Sequence, residues 1–256
     1  MPKLLKTIIP RFKKSIAARG VIATLLRSVL LPIHLFRELR LAKRLGRHSV
    51  QSDFDMKHKV QTDGDTGDWT YLSDLEITSP NWIYGTNYAG SEPPRFLAAL
   101  SCLNIRFEDF LFVDFGSGKG RALLMASEFP FKRIIGVEFS PELHAIAQRN
   151  IQQYVTPTQK CNFIESVCMD FTDWQLPTEP CVLYLYDPCE GPVLTKVLSN
   201  IRLSLEVHPR PVYLIYVAPQ NEGLLGSASF LRELTRSEEH RFCIYEGFNG
   251  RWPWLP

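Results

Sequence analysis

The sequence predicts an α/β protein: a doubly wound, mainly parallel β-sheet with helices on both faces. Three observations predict it. From Phe107 onward, short apolar runs alternate with helix-like stretches, the order that builds a parallel sheet. The first run, FLFVDF (110–115), ends at GSGKGR, where glycines at alternate positions precede a helical stretch. The next, RIIGVEF (133–139), carries an acid near its end, Glu138.

Each element has its own local warrant. FLFVDF is short, apolar and stopped by glycine, as a strand buried on both faces should be. RALLMASEF (121–129) has helical spacing. Ser140-Pro141-Glu142 supplies an N-cap, a first-position proline and a first-turn acid to the helix that continues through LHAIAQRNIQQY. CNFIESVCMD (161–170) and CVLYLYDP (181–188) are the third and fourth strands. GPVLTKVLSNIRLSL (191–205) is a helix, and PVYLIYVAP (211–219) is the fifth strand. RFCIYEGF (241–248) reads as a strand, while FLRELTRSE (230–238) fits helix or strand.

The chain divides into a basic, apolar helical extension at 1–47, a polar linker at 48–79 and the main domain at 80–256. Residues 1–47 hold 12 of the 29 Lys+Arg and one of the 27 Asp+Glu, leaving 17 against 26 for the rest. A basic arm is thus joined to an acidic body. GVIATLLRSVLLPIHLF (20–36) is interrupted by Arg27 and Pro32 and is too short for a membrane span. It either packs its apolar face on the body or lies on an anionic membrane surface or a polyanion. DGDTGD (63–68) lacks the spacing and closing Glu of a calcium loop and reads as a solvated turn. The six cysteines form no CxxC pair and the six histidines are scattered, so no metal site is expected. The cysteines read as core residues of a reducing compartment, and the expected location is cytoplasmic or peripheral to a membrane.

The glycine turn indicates the ligand. Its spacing is GxGxG, not the GxGxxG of a dinucleotide site. Asp114, just before the turn, would repel a diphosphate but could accept from an ammonium group. Glu138 stands where an acid takes both ribose hydroxyls of a nucleoside. A nucleoside with a cationic, phosphate-free tail meets these conditions, and S-adenosylmethionine is such a molecule.

VDFGSGKGR followed by GVEFSPEL resembles motif I and the acidic post-I strand of class I S-adenosylmethionine-dependent methyltransferases, over about residues 80–220. The resemblance implies a Rossmann-like, seven-stranded sheet with S-adenosylmethionine as cofactor. It implies that Gly116, Ser117, Gly118 and Gly120 line the methionine end, that Asp114 fixes the turn or the amino group, and that Glu138, followed by Phe139, binds ribose. Met169 and Asp170 would hold adenine. YLYDPC (184–189) resembles the [D/N]PPY-like motif IV of amino-methylating enzymes, and also the NPF of non-SET protein-lysine methyltransferases. Asp187 and Pro188 match, and Cys189 departs. By that resemblance Asp187 would orient a target amine, with Tyr186 and Pro188 walling the pocket. Tyr88, in NWIYGTNYAGSEPPRF (81–96), resembles the covering loop of the same lysine methyltransferases.

The expected activity is methyl transfer by in-line displacement to an amine, on a protein lysine or a small molecule. The chain is expected to be a monomer, and the Cys189 departure argues against a nucleic-acid substrate. Two alternatives from other classes remain: a catalytically silent S-adenosylmethionine-binding protein at a membrane surface, and a nicotinamide-dependent oxidoreductase.

Overall fold

The structure, a computed structural model, describes residues 53–64 and 69–247, together with Val21 and Leu25. Apart from those two exposed helical residues, the basic extension at 1–47 lies outside the described residues, as does most of the DGDTGD turn. The described elements are α1 (Asp53–His58), α2 (Pro93–Ser101), β1 (Leu111–Phe115), α3 (Arg121–Ala126), β2 (Arg133–Glu138), α4 (Pro141–Gln153) and β3 (Ile164–Cys168). They continue with β4 (Cys181–Tyr186), α5 (Gly191–Val207), β5 (Val212–Val217), α6 (Glu222–Gly226), β6 (Leu231–Ser237) and β7 (Phe242–Gly247).

These strands form one seven-stranded sheet in the order β3-β2-β1-β4-β5-β7-β6. β1 to β5 run parallel, and β7 pairs antiparallel with β5 and with β6. This is the doubly wound sheet expected from the sequence. FLRELTRSE, which fitted either state, is a strand, because it completes the antiparallel pair with β7.

Two-residue alternation divides the residues of the central strands between two cores. Leu111, Val113 and Phe115 of β1 face one cluster, where α5 packs through Val193, Val197 and Ile201. Phe112 faces the other, with Phe96 of α2 and Ala122 of α3. α5 buries Val193, Leu194, Val197, Leu198, Ile201 and Leu205, a stripe at helical spacing. α4 starts as its sequence requires: the Leu143 N–H donates to Ser140 Oγ at 3.3 Å, and Pro141 follows the cap.

The described residues of the stretch expected as a polar linker, 53–64 and 69–79, instead pack on the body. Val60 packs with Leu124 and Tyr154, and Leu72, Leu75 and Ile77 are buried with Trp82 and Leu143. Thr70 pairs with Tyr88 in a short antiparallel bridge. The polar side chains in this stretch make specific internal bonds, which composition alone could not distinguish from solvation. Four of the six cysteines are buried, while Cys102 and Cys168 are exposed.

Candidate functional site

Strand order reverses between β1 and β4, and in such sheets the ligand crevice lies outside the strand ends at that point. An open cleft of about 730 Å³ occupies it. Asp114, Gly116, Ser117, Glu138, Phe139, Asp170, Tyr186, Pro188 and Tyr88 line it, so most of the residues singled out in the sequence converge there. Gly118, Gly120, Met169 and Asp187 do not line it.

The turn after β1 explains part of that division. The N–H groups of Gly116 and Ser117 donate to the Val137 carbonyl at 2.9 and 3.2 Å, curling the turn against β2. Gly116 and Gly118 have φ of +80° and +53°, which favour glycine. A Cβ on Gly118 would lie 2.0 Å from the Tyr88 ring. Gly118 is bare because the protein's own aromatic ring covers it, not because ligand touches it. Gly120 caps α3 and packs on Ala147. Met169, expected to help hold adenine, is 42% exposed and is not among the residues lining the cleft.

Two buried carboxylates flank the turn. Asp114 and Glu138 are each 3% exposed. Glu138 accepts from the Gly118 and Ser140 N–H groups, both at 2.8 Å. Burial raises its pKa to about 7, against the opposing pull of those backbone donors. The Asp114 carboxylate has no hydrogen-bond partner among the described residues. Burial, and secondarily the Glu138 charge, push it well above the usual carboxylate range. Ser117 Oγ is buried without a partner too. An unmatched buried carboxylate lining a cleft is what a ligand cation would complete.

At the β3 end, Asp170 Oδ2 accepts from Ser79 Oγ at 2.5 Å and from Asn81 Nδ2 at 2.8 Å, while its Oδ1 accepts from the Thr172 N–H. Burial acts to raise its pKa, but the bonds from Ser79, Thr172 and Asn81 together outweigh it and leave the pKa lowered. Asp170 therefore ties the 79–84 segment to the β3 tip while one side of it faces the cleft.

At the β4 end the geometry departs from the sequence expectation. Asp187, at φ +40°, turns its carboxylate out of the cleft lining, and Oδ1 accepts from Tyr216 Oη at 2.6 Å. Burial raises its pKa to about 7. The carbonyls of Asp187 and Pro188 accept from Thr86, from Oγ1 at 2.7 Å and from the N–H at 3.2 Å. Glu190 N–H donates to the Tyr84 carbonyl at 2.7 Å, so residues 84–86 are zipped onto the exit of β4. Asp187 thus holds the turn together and does not present a carboxylate to a target amine. Tyr186 and Pro188 do wall the cleft.

A third cluster went unread in the sequence. Arg121 at the start of α3 lines the cleft, yet is only 5% exposed. Its Nε donates to Thr62 Oγ1 at 2.6 Å and its Nη2 pairs with Asp63 and, at 3.5 Å, with Asp55. Asp55 in turn accepts from the Thr62 and Asp63 N–H groups. Tyr88 Oη donates to the Thr62 carbonyl at 2.6 Å, and the fully buried Lys119 donates to the Asp63 carbonyl at 2.7 Å. Segment 53–64 is therefore latched over the glycine turn. The signal available was the basic pair Lys119 and Arg121 opposite DGD, two elements too distant in sequence to pair by inspection.

No protein-family profile matches the chain, and no curated protein sequence does. Solved structures of similar fold include an RNA methyltransferase from Salinibacter ruber in complex with S-adenosyl-L-homocysteine. It is 19% identical over 65% of this chain and 98% of its own, with a TM-score of 0.44. Human N-acetylserotonin methyltransferase in complex with SAM is 16% identical over 61% and 52%, with a TM-score of 0.45. The precorrin-6y C5,15-methyltransferase from Geobacter metallireducens GS-15 is 15% identical over 60% and 86%, with a TM-score of 0.43. At such low identity and overlap these likenesses decide neither substrate nor mechanism.

Proposed function

We propose that this protein is an S-adenosylmethionine-dependent methyltransferase. One observation carries the reading: two buried carboxylates on adjacent strand tips, Asp114 without a partner, flank a turn too bare and too close to acids for a diphosphate. Asp114 would accept from the amino group of the cofactor's methionine part and Glu138 from the ribose hydroxyls, while Phe139 and Phe171 wall the cleft beside Asp170. Bound there, the cofactor supplies a methyl group already activated by its sulfonium. The chain's contribution is to bind, orient and exclude water. Tyr88 and the latched 53–64 segment cover the turn, and residues 84–86 close the side next to β4.

Calorimetric titration with S-adenosylhomocysteine, against NADH as the alternative, tests the reading. S-Adenosylhomocysteine binding without NADH binding supports it, and the reverse assigns the cleft to an oxidoreductase. A catalytically silent binding protein is the second reading, favoured by the committed Asp187 carboxylate. It predicts tight cofactor binding with no methyl transfer to any fraction of a cell lysate. The amine acceptor expected from the β4 motif depended on that same carboxylate facing the cleft, and so loses its main support.

A further inference from the structure

We propose that the methyl acceptor is a carboxylate, held beside Tyr186 and methylated on oxygen to give an ester. The inference rests on the methyltransferase reading and deepens it.

It follows from the donors and acceptors left at the β4 end of the cleft. The acceptors there are occupied within the protein: Asp187 Oδ1 by Tyr216, and the Asp187 and Pro188 carbonyls by Thr86. An incoming amine would have to share acceptors that already hold a donor from the protein. Donors are what remain. The Asn87 side-chain oxygen accepts from the Leu72 N–H at 3.1 Å, which fixes the amide so that its NH₂ is directed elsewhere, and that NH₂ has no partner among the described residues. Ser91 Oγ accepts from Tyr184 at 3.2 Å, leaving its own hydrogen to give. Tyr186 Oη accepts from Arg95 Nη1 at 3.2 Å, and its only acceptor among the described residues is Glu92, at a long 3.5 Å. All three line the cleft. Behind Tyr186 the Arg95 guanidinium lies 5.8 Å from the ring centroid, its Nε buried without a partner. Arg95 is itself paired with Glu92 at 3.4 Å, so it is the three donors that suit a ligand presenting oxygen acceptors, such as a carboxylate.

The proton balance points the same way. An alcohol or a protonated amine must lose a proton during transfer and so calls for a base. Among the described residues no histidine lines the cleft. Asp187 is turned away, Asp170 is held by three donors, and Asp114 and Glu138 serve the cofactor. A carboxylate arrives already deprotonated. Its oxygen lone pair forms the new C–O bond as the methyl C–S bond breaks, and the thioether leaves with the bonding electrons. A neutral ester and a neutral thioether result, with no proton to place.

The test gives the full chain methyl-labelled S-adenosylmethionine and a desalted lysate, then treats the products with alkali. An ester releases its label as volatile methanol, whereas N-methyl label stays in place. Base-labile label is expected, with Tyr186→Phe lowering it roughly tenfold or more while S-adenosylhomocysteine affinity stays within about twofold of wild type. Base-stable label, or no transfer despite intact S-adenosylhomocysteine binding, overturns the carboxylate assignment. Absent S-adenosylhomocysteine binding instead removes the methyltransferase reading beneath it. A readout free of turnover uses the S-adenosylhomocysteine-saturated protein. Benzoate should raise its melting temperature more than benzylamine does, and Tyr186→Phe should erase the difference. An equal or opposite order overturns the assignment.

Discussion

Glu138 carries the sharpest residue-level consequence. Glu138→Gln keeps the side-chain volume but removes the charged acceptor, and S-adenosylhomocysteine binding should weaken by about 1.5–3 kcal/mol in calorimetry. Unchanged affinity would take Glu138 out of the site. Gly118→Ala acts differently: the added methyl meets the Tyr88 ring at 2.0 Å and the backbone sits at φ +53°. Denaturant titration should show a loss of about 2 kcal/mol or more, since neither ring nor turn can yield freely. Much at this scale was legible beforehand. Asp114, the glycines and Glu138 are adjacent to recognisable strand ends, so spacing alone located them. The orientation of Asp187 was not legible, because it depends on Tyr216, 29 residues away on β5, and on Thr86, distant in sequence, bonding the Asp187 carbonyl.

Among elements, the latch of segment 53–64 on α3 gives a contrast between buried and exposed ion pairs. Asp55→Ala removes the acceptor of the Thr62 and Asp63 N–H groups and one partner of buried Arg121, and should cost about 3 kcal/mol in chemical denaturation. Asp173→Ala breaks a pair with Lys196 in which both side chains are more than half exposed, and should change stability by less than about 0.5 kcal/mol. Similar losses for the two would show that the latch is not a buried unit. Strands and helices from β1 to β5 were legible because their apolar periods are clean and bounded by glycine, proline or a cap. The latch was not: its stretch is polar in composition, and its order comes from ion pairs and backbone bonds to α3 that leave no periodic trace.

Taken whole, the molecule places acids against one another at the strand tips, which makes its behaviour depend on pH. Glu138 and Asp187 both have folded pKa values raised by burial to about 7, against ordinary values of 4.5 and 3.8. A raised folded pKa favours the protonated form in the folded state. Their contribution to stability is therefore full below about pH 4 and is lost as pH rises through about 7, by roughly 3 kcal/mol or more per group. Urea titrations of the apo protein between about pH 5 and pH 8 should show stability falling from these groups. Cofactor binding should move the opposite way, because ribose hydroxyls donate to the ionised carboxylate. Affinity should climb by up to about tenfold per unit below pH 7 and then level off, with proton release on binding. An affinity independent of pH would mean that Glu138 is not titrating at the ligand. The sheet order and the position of the cleft followed from the strand–helix alternation. The charge coupling across the cleft did not, because it needs the burial that only the fold supplies.

The most direct test is a calorimetric titration of the full chain with S-adenosylhomocysteine near pH 8. The account predicts one site per chain, weakened by both Asp114→Asn and Glu138→Gln while both variants remain folded. A flat response at millimolar S-adenosylhomocysteine from well-folded protein would contradict it.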